Sequence, residues 1–572
     1  MKIVTIKEKE CQAPQACDYI CAQVCPRVRE GAINTVYKRE NKKAAIDEEL
    51  CIACGICVNR CPYDAIRVIN LPDELNRELT FQYGINSFRT YNIISPMNGK
   101  VVGILGKNGI GKTTNINLIS NSLKPNFGNF VDKTEDKEII RRFRGREIQP
   151  YLERLYSGEL KVSKKEQNLA LTGAVKDAVK ENKYNLISRD IMERDISSLS
   201  GGQAQLVEIS AALDKDADVY ILDEPMNYLD ISQRLKVAKT IKENLKDKTV
   251  VIVEHDLIML DYLTDFVQIM YGSESNYGIV SHIMPTRQGI NNYLRGYLPA
   301  ENMRFRDHGL NIKGNVPEGS LEPLTSWPDF NVEVGGFKLF VKEGTIYKGE
   351  IIGIIGENGI GKTTFARAMT GAIDTDAGKL ELGIRISYKP QFIEAPDVLV
   401  KDLLASIRAD FTSNESFGNV MKKLEIDRVL SKNVKNLSGG ELQKLAIFST
   451  ILRDADIYLF DEPSANLDLE DRLETINIIG SFIKANRKSA MIIDHDLTLI
   501  NAVSTRALLF EGDPDKTGIA TRISRTDEAI NNLLKRANVT MRKDAESGRP
   551  RINLPGSRLD MEQKEAGKFF ET

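Results

Sequence analysis

The apolar positions of this chain fall into two sets of short runs, one in each half, with the same neighbours in the same order. Lys100 to Leu105 (KVVGIL) and Glu350 to Ile355 (EIIGII) each lead into a glycine-rich stretch and then into helix-compatible sequence. That order predicts strand, tight loop and helix N-terminus. Farther on, Val219 to Pro225 (VYILDEP) and Ile457 to Pro463 (IYLFDEP) each place four apolar residues before two carboxylates, as in a parallel strand buried on both faces. No apolar run approaches the ~18 residues of a membrane span, and the N-terminus MKIVTIKEKECQ lacks the apolar centre of a signal peptide. The expected location is therefore cytoplasmic, with no membrane partner.

The glycine stretches carry the first chemistry. Gly106 to Thr114 reads GKNGIGKTT and Gly356 to Thr364 reads GENGIGKTT. Glycines at such spacing let backbone N–H groups turn inward around a phosphate, and the following helix presents unpaired donors and its positive dipole end. Gly106, Asn108, Gly109, Gly111, Lys112, Thr113 and Thr114 form one candidate ATP loop. Gly356, Asn358, Gly359, Gly361, Lys362, Thr363 and Thr364 form the other. Lys112 and Lys362 are placed to reach the β and γ phosphates, and the hydroxyls of Thr113 and Thr363 to complete the coordination of Mg²⁺.

Three further motifs repeat. LSGGQ spans Leu199 to Gln203 and LSGGE spans Leu437 to Glu441. Asp223 and Asp461 can hold Mg²⁺ through water, while Glu224 and Glu462 can polarise an attacking water. His255 and His495 follow in VEHDL and IDHDL, two of only four histidines in the chain. Lys112 to Lys362 is 250 residues, Ser200 to Ser438 and Asp223 to Asp461 are 238, and His255 to His495 is 240. Near-constant offsets identify a duplication.

At 572 residues the chain should hold about three to five domains. Its 42% hydrophobic and 28% charged residues are ordinary for a globular protein, and a net charge of −2 leaves any nucleic-acid surface to local patches. The eight cysteines all lie at or before Cys61, which favours metal binding over disulfides. Cys51, Cys54, Cys57 and Cys61 follow C-x2-C-x2-C-x3-C-P, the bacterial ferredoxin spacing for a [4Fe–4S] cluster. Cys11, Cys17, Cys21 and Cys25 form a looser series that also ends in Cys-Pro. In two-cluster ferredoxins the fourth cysteine of each run serves the other cluster. The expectation is one cluster on Cys51, Cys54, Cys57 and Cys25 and a second on Cys11, Cys17, Cys21 and Cys61. A pair of structural zinc sites is the alternative. Clusters that staple a small domain are favoured over clusters that carry electrons.

With these motifs in register, residues 77 to 533 resemble the ATP-binding cassette family. The resemblance implies an α/β fold in which a ferredoxin-like two-cluster domain precedes two P-loop cassettes packed head to tail. It assigns Walker A to the glycine loops, the signature to Ser200, Gly201, Gly202 and to Ser438, Gly439, Gly440, the switch role to His255 and His495, and the Q-loop to Gln391 in YKPQF and Gln167 in KKEQN. Each ATP would lie between halves: Lys112 and Thr113 with Ser438 to Gly440, and Lys362 and Thr363 with Ser200 to Gly202. The cysteine-rich head, YLRGYLPAENMR (Tyr293 to Arg304) and GRPRINLPGSRLD (Gly548 to Asp560) narrow the resemblance to the ribosome-recycling subfamily E, the RNase L inhibitor family. That subfamily implies an ATPase that splits post-termination or rescued ribosomes, with the small ribosomal subunit and its rRNA, the class-one release factor and the related rescue factor as partners, and a monomer whose cassettes pair within one chain. An ATP-dependent iron–sulfur electron carrier and the energising subunit of a transporter are the rival readings.

The implied domains are 1–76 for the iron–sulfur head, 77–292 and 319–534 for the cassettes, 293–318 for a first hinge, and 535–572 for a second hinge and tail. The first cassette carries about 26 extra residues, near 131–160. There Ile139, Ile140, Phe143, Ile148, Leu152 and Leu155 alternate with Arg141, Arg142, Arg144, Arg146 and Arg154 at partly helical spacing. The resemblance makes this a helix–loop–helix against small-subunit rRNA. Asn291 to Arg306 and Lys535 to Asp560 mix Gly, Pro and Arg, which predicts connectors rather than packed elements, with arginines open to RNA. Tyr83 and Phe88 stand where an aromatic ring could stack on adenine or pack in the core, and Phe337 is a weaker counterpart. The first half departs from the family pattern at Gln203 to Leu206, Met226, Asn227, Glu166, Asn168 and Glu254, which predicts two unequal ATP sites.

Overall fold

The computed structural model describes residues 2–70, 79–130, 132–167, 171–310, 312 and 322–571. The expected boundaries near 76 and 318, the first residue of the insertion and Asn168 lie outside those residues.

In the head, strands Lys2–Ile6 and Ile66–Asn70 pair antiparallel, with Lys2 opposite Asn70 and Ile6 opposite Ile66, so the two ends of the head meet. The short helices Ile20–Gln23, Pro26–Arg29 and Ile56–Arg60 carry or border the cysteines. Val4, Ile6, Tyr19, Val36, Ile46 and Ile66 form a small core with the cysteines.

Each cassette holds a nine-stranded mixed sheet. In the first, the order across the sheet is Leu79–Gln82, Arg89–Tyr91, Tyr277–Val280, Phe266–Ser273, Val101–Gly106, Thr249–Val253, Val219–Asp223, Val162–Lys165, with Met284–Pro285 paired to the side of Phe266–Ser273. The second repeats that order from Phe330–Val334 to Ile386–Lys389. The strands Val219–Asp223, Thr249–Val253, Ile351–Ile355, Ile457–Asp461 and Ser489–Ile493 are buried throughout, which is why they read as continuous apolar runs. Helices cover both faces, and the glycine loops, the carboxylate pairs, the two histidines and the Q-loop glutamines fall at the carboxyl ends of the parallel strands, where open α/β sheets bind ligands, whereas the signatures stand at helix starts. Among the described residues no helix is long and apolar enough to cross a membrane.

The insertion forms two helices, Asp136–Arg142 and Gln149–Tyr156. Ile139, Phe143, Ile148, Leu152 and Leu155 sink into the core of the first cassette, and Arg141, Arg142, Arg144, Arg146 and Arg154 stay exposed. The connectors differ from expectation. Asn291 to Arg295 belongs to the helix Thr286–Arg295, and residues 535–560 supply the end of helix Thr526–Ala537, a hairpin of Met541–Lys543 with Pro550–Ile552, and the start of helix Arg558–Glu565. Arg549 is 0% exposed, its guanidinium 3.2 Å from Asp261 in the first cassette, and Arg551 reaches the same carboxylate at 2.6 Å. Arg287 and Arg551 both bond Asp544. The C-terminal segment is therefore packed onto the first cassette, and neither Arg549 nor the buried Arg306 is open to RNA.

Candidate functional site

Both glycine loops turn through the same backbone conformations. Gly109 and Gly111 have φ of +70° and +93°, and Gly359 and Gly361 have +72° and +93°, a region that side chains with a Cβ disfavour. Space is short as well: a Cβ on Gly111 would lie 2.4 Å from the Phe88 ring, and one on Gly361 2.9 Å from Phe337. Phe88 and Phe337 thus occupy matching places packed against the loops. Tyr83 is 55% exposed, with its hydroxyl 3.2 Å from Thr114 Oγ1.

Lys112 Nζ lies within 2.8–3.1 Å of Gly106 O, Lys107 O and Asn108 Oδ1, and 3.2 Å from His255 Nε2. Lys362 donates to Gly356 O at 3.0 Å and to Glu357 O. Burial pushes Lys362 down to about 8. Thr363 Oγ1 donates to Asp461 at 2.9 Å, whereas Thr113 is exposed.

The carboxylate pairs end their strands with a sharp change of direction. Glu224 and Glu462 both sit at φ +48°, a strained conformation for a residue other than glycine. Each is fixed by its N–H, Glu224 to Val253 O and Glu462 to Ile493 O, both at 2.9 Å. Gln167 Nε2 donates to Glu224 Oε1 at 2.9 Å, and Gln391 Nε2 to Glu462 Oε1 at 2.9 Å. Gln167 therefore stands where Gln391 does, despite its divergent neighbours. His255 and His495 each approach the same carboxylate at 3.3 Å.

Charges are distributed unequally within each pair. Burial and the adjacent Glu224 push Asp223 up to about 6, and burial with Glu462 raises Asp461. Burial opposes ionisation of the glutamates as well. Hydrogen bonds and positive charge from His255 and Lys112 nevertheless hold Glu224 well below the usual carboxylate range. His495, Gln391 and Lys362 hold Glu462 down at about 2. Burial and the Lys112 ammonium push His255 down, against the pull of Glu224. Behind each pair a buried lysine supports the turn: Lys165 donates to Asp223 O at 3.1 Å, and Lys389 to Asp461 O at 2.7 Å.

The signature serines cap helices Gly201–Leu213 and Gly439–Leu452. Ser200 exchanges bonds with Gln203, and Ser438 with Glu441, forming two capping boxes. Gly201, Gly202, Gly439 and Gly440 make the first turns.

The halves meet at these elements. Asn108 N donates to Asp468 Oδ2 at 2.8 Å, and Asn358 N to Asp230 Oδ2 at 3.0 Å. Asn358 Nδ2 also donates to Tyr228 O at 3.0 Å, and a Cβ on Gly202 would stand 3.6 Å from that amide nitrogen. The first signature thus lies beside the second glycine loop. Asp230 and Asp468 were not singled out above, although each follows its strand-end aspartate by seven residues in both halves. Their signal was the repeat itself.

The first half differs from the second in the ring around the carboxylate. Asn227 Nδ2 donates to Glu224 Oε2 at 2.5 Å, and Ala465 holds the matching position. The longer Glu254 accepts from Met226 N at 3.2 Å as well as from His255 N and Asp256 N. Burial and Asp256 push Glu254 up to about 7. Where Tyr388 bonds Asp461 at 3.2 Å, the first half has Lys164, which bonds Asn117.

In the head, one cavity is lined by Cys11, Cys17, Cys21 and Cys61 with Ile6, Ala44 and Ile66. A second is lined by Cys25, Cys51, Cys54 and Cys57 with Val36, Ile46 and Val68. Burial and neighbouring thiols push Cys21 up to about 12 and Cys57 to about 11, so four thiolates in either cavity need cationic charge among them. An iron–sulfur cluster fits that donor set. The head docks on the first cassette through Asn86, which bonds Val4 O, Ile46 O and Ile46 N, and through Glu48, which pairs with Arg89 at 2.6 Å. Thr5 donates to Asn276, beside Ser275, whose N–H bonds Gly109 O at 2.9 Å.

Residues 95–227 and 342–465 match the family described as ABC transporter, and residues 44–67 match the 4Fe-4S binding domain. An uncharacterized ABC transporter ATP-binding protein of Methanocaldococcus jannaschii is 41% identical over all of this chain and 97% of its own length. Translation initiation factor RLI1 of Saccharomyces cerevisiae is 38% identical, and ABC transporter E family member 1 of Arabidopsis thaliana 37%, each over 100% of this chain and 98% of its own. Among solved structures, a chain of ribosome-bound archaeal Pelota and ABCE1 superposes with a TM-score of 0.92 at 40% identity, covering 100% of this chain and 99% of that one. The complex of archaeal ribosomal stalk protein aP1 and archaeal ribosome recycling factor aABCE1 superposes with 0.82 at 40% identity, covering 87% and 100%. Likeness of this extent, over cassettes and cysteine-rich head together, means that the chain belongs to the E family of ATP-binding cassette proteins, which includes RLI1, ABCE1 and the RNase L inhibitor.

Proposed function

We propose that this chain is an ATPase that splits post-termination or rescued ribosomes into their subunits. The observation that carries the mechanism is the reciprocal pair of bonds from Asp468 to the Asn108 loop and from Asp230 to the Asn358 loop. Two ATP molecules would lie between the halves, one held by Lys112 and Thr113 with Ser438 to Gly440, the other by Lys362 and Thr363 with Ser200 to Gly202. Because each site needs both cassettes, ATP binds the closed form better than the open one, and that difference drives closure. Glu224 and Glu462, kept ionised, orient and deprotonate the attacking water, with His255 and His495 positioning each carboxylate. Mg²⁺ would be held by Thr113 with Asp223 and by Thr363 with Asp461, and would neutralise phosphate charge.

Two [4Fe–4S] clusters, one on each cysteine set, would staple the head. Phe88 packs on Gly111 and Asn86, two residues earlier, plugs into the head, so movement at the first glycine loop is passed to the iron–sulfur domain. Solved relatives are described as ribosome-bound with Pelota and as an archaeal ribosome recycling factor. The partners proposed here are the small ribosomal subunit, contacted at its RNA by the exposed arginines of residues 136–156, the class-one release factor and the related rescue factor. The chain acts as a monomer in the cytoplasm.

The test is a sucrose-gradient assay with ribosomes, release factor and ATP or a non-hydrolysable analogue. Free subunits should appear with the chain and nucleotide together and with neither alone; intact ribosomes throughout would reject the reading.

A further inference from the structure

The two glycine loops differ at one position, Lys107 against Glu357, and the opposite cassette answers each differently. Lys107 Nζ lies 3.0 Å from Glu470 Oε2, whereas Glu357 accepts a 2.5 Å bond from Ser232, which occupies the place of Glu470 in the first half. Glu470 is buried two residues after Asp468, and its other oxygen takes a second cation, Arg306 Nη2 at 3.0 Å. Arg306 is itself buried and held in place: it donates to Tyr293 O at 2.7 Å and Leu294 O at 3.2 Å, and lies over the rings of Tyr293 and Phe305. One carboxylate of the second cassette thus bridges the first glycine loop and the segment that leaves the first cassette.

We infer that Glu470 is a positioning residue that makes closure of the first nucleotide site and seating of the connecting segment a single event. Two ion pairs share this buried carboxylate, one with the buried Arg306 and one with the half-exposed Lys107, so the cassettes cannot part at the first site without uncovering the partner of both cations at once. Losing one cation leaves the other pair in a changed field, which couples Lys107 to Arg306 although they do not touch. At the matching position of the second site Ser232 bonds Glu357, and among the described residues Glu357 has no ion pair to a connecting segment. This inference rests on the reading that each glycine loop is completed by the other cassette.

The full chain tests it. E462Q confines turnover to the first site and E224Q to the second, and ATP KM and kcat are measured for K107M, R306M, the double variant and E470Q in each background. R306K, which keeps the charge, controls for folding. At the first site each of K107M, R306M and E470Q should raise KM about 10-fold. The K107M/R306M double variant should be no worse than E470Q, R306K should recover most of the loss, and the second site should be unchanged. Additive effects of K107M and R306M, or equal effects at both sites, or none, would overturn the role of Glu470. Undiminished turnover in both E224Q and E462Q would instead overturn the site assignment itself.

Discussion

The carboxylate of Asp468, in the second cassette, accepts a 2.8 Å hydrogen bond from the backbone N–H of Asn108 in the glycine loop of the first. Asp468 also caps the helix Leu469–Asn486, accepting from Asp471 N at 3.0 Å. A helix start on one cassette is therefore tied to a phosphate-binding loop on the other. Asp230 repeats the arrangement toward Asn358. Charge-assisted bonds of this kind contribute about 1.5–3 kcal/mol when buried.

The extra donor on Glu224 should slow the first site. Asn227 occupies the second carboxylate oxygen, which Ala465 leaves alone in the other half. In an E462Q background, N227A should raise first-site ATP turnover several-fold and narrow the difference between sites. A steady-state phosphate-release assay reads it, and an unchanged or lower rate would count against the restraint.

The two cysteine sets predict separable losses. C61S should remove the cluster served by Cys11, Cys17 and Cys21 and leave the one on Cys51, Cys54, Cys57 and Cys25. Iron per chain should fall from about eight to about four, and C25S should do the same at the other cavity. Iron analysis with EPR of anaerobically prepared protein checks this.

Closure should weaken as pH rises through the range of Asp496. Burial, with Asp256 of the first cassette and Asp494, pushes its carboxyl from 3.8 up to about 6, against the charges of Arg472 and Arg234. The shares owed to Asp256 and Arg234 exist only when the cassettes are together, and that of Asp256 is the larger, so the closed form holds the proton more tightly. Its contribution is present while Asp496 holds its proton and is lost as pH passes about 6. Fluorescence transfer between labels on the two cassettes, at fixed non-hydrolysable analogue, should fall from about pH 5 to about pH 6.5. D496N should flatten that slope.

Arginines of the insertion should act through salt-dependent binding and not through stability. Arg141 and Arg144 are exposed, while the apolar face of the same helices is buried. The R141E/R144E variant should weaken association with small-subunit RNA and reduce the slope of log affinity against log salt by about one or two. The melting temperature should stay within about 2 °C, because exposed substitutions rarely exceed ±0.5 kcal/mol.

Local chemistry was legible in the residues themselves. Phosphate cradles, cluster ligands and strand-end carboxylates need fixed spacing along one short segment, so GKNGIGKTT, VYILDEP and the cysteine runs announce both themselves and their duplication. Gln167 showed where such reading weakens: its neighbours had changed, yet its distance from the strand kept its amide on Glu224. Tertiary structure decided what depends on partners far apart in the chain. Arg549 looked like an RNA-facing arginine in a connector until Asp261, 288 residues away, met it in the interior. Nothing in the run around Asp468 and Glu470 points to the first glycine loop, some 360 residues earlier, which closes against them in the fold. Burial and charge pairing arise from packing, and no run of neighbours along the chain encodes which face another cassette will cover.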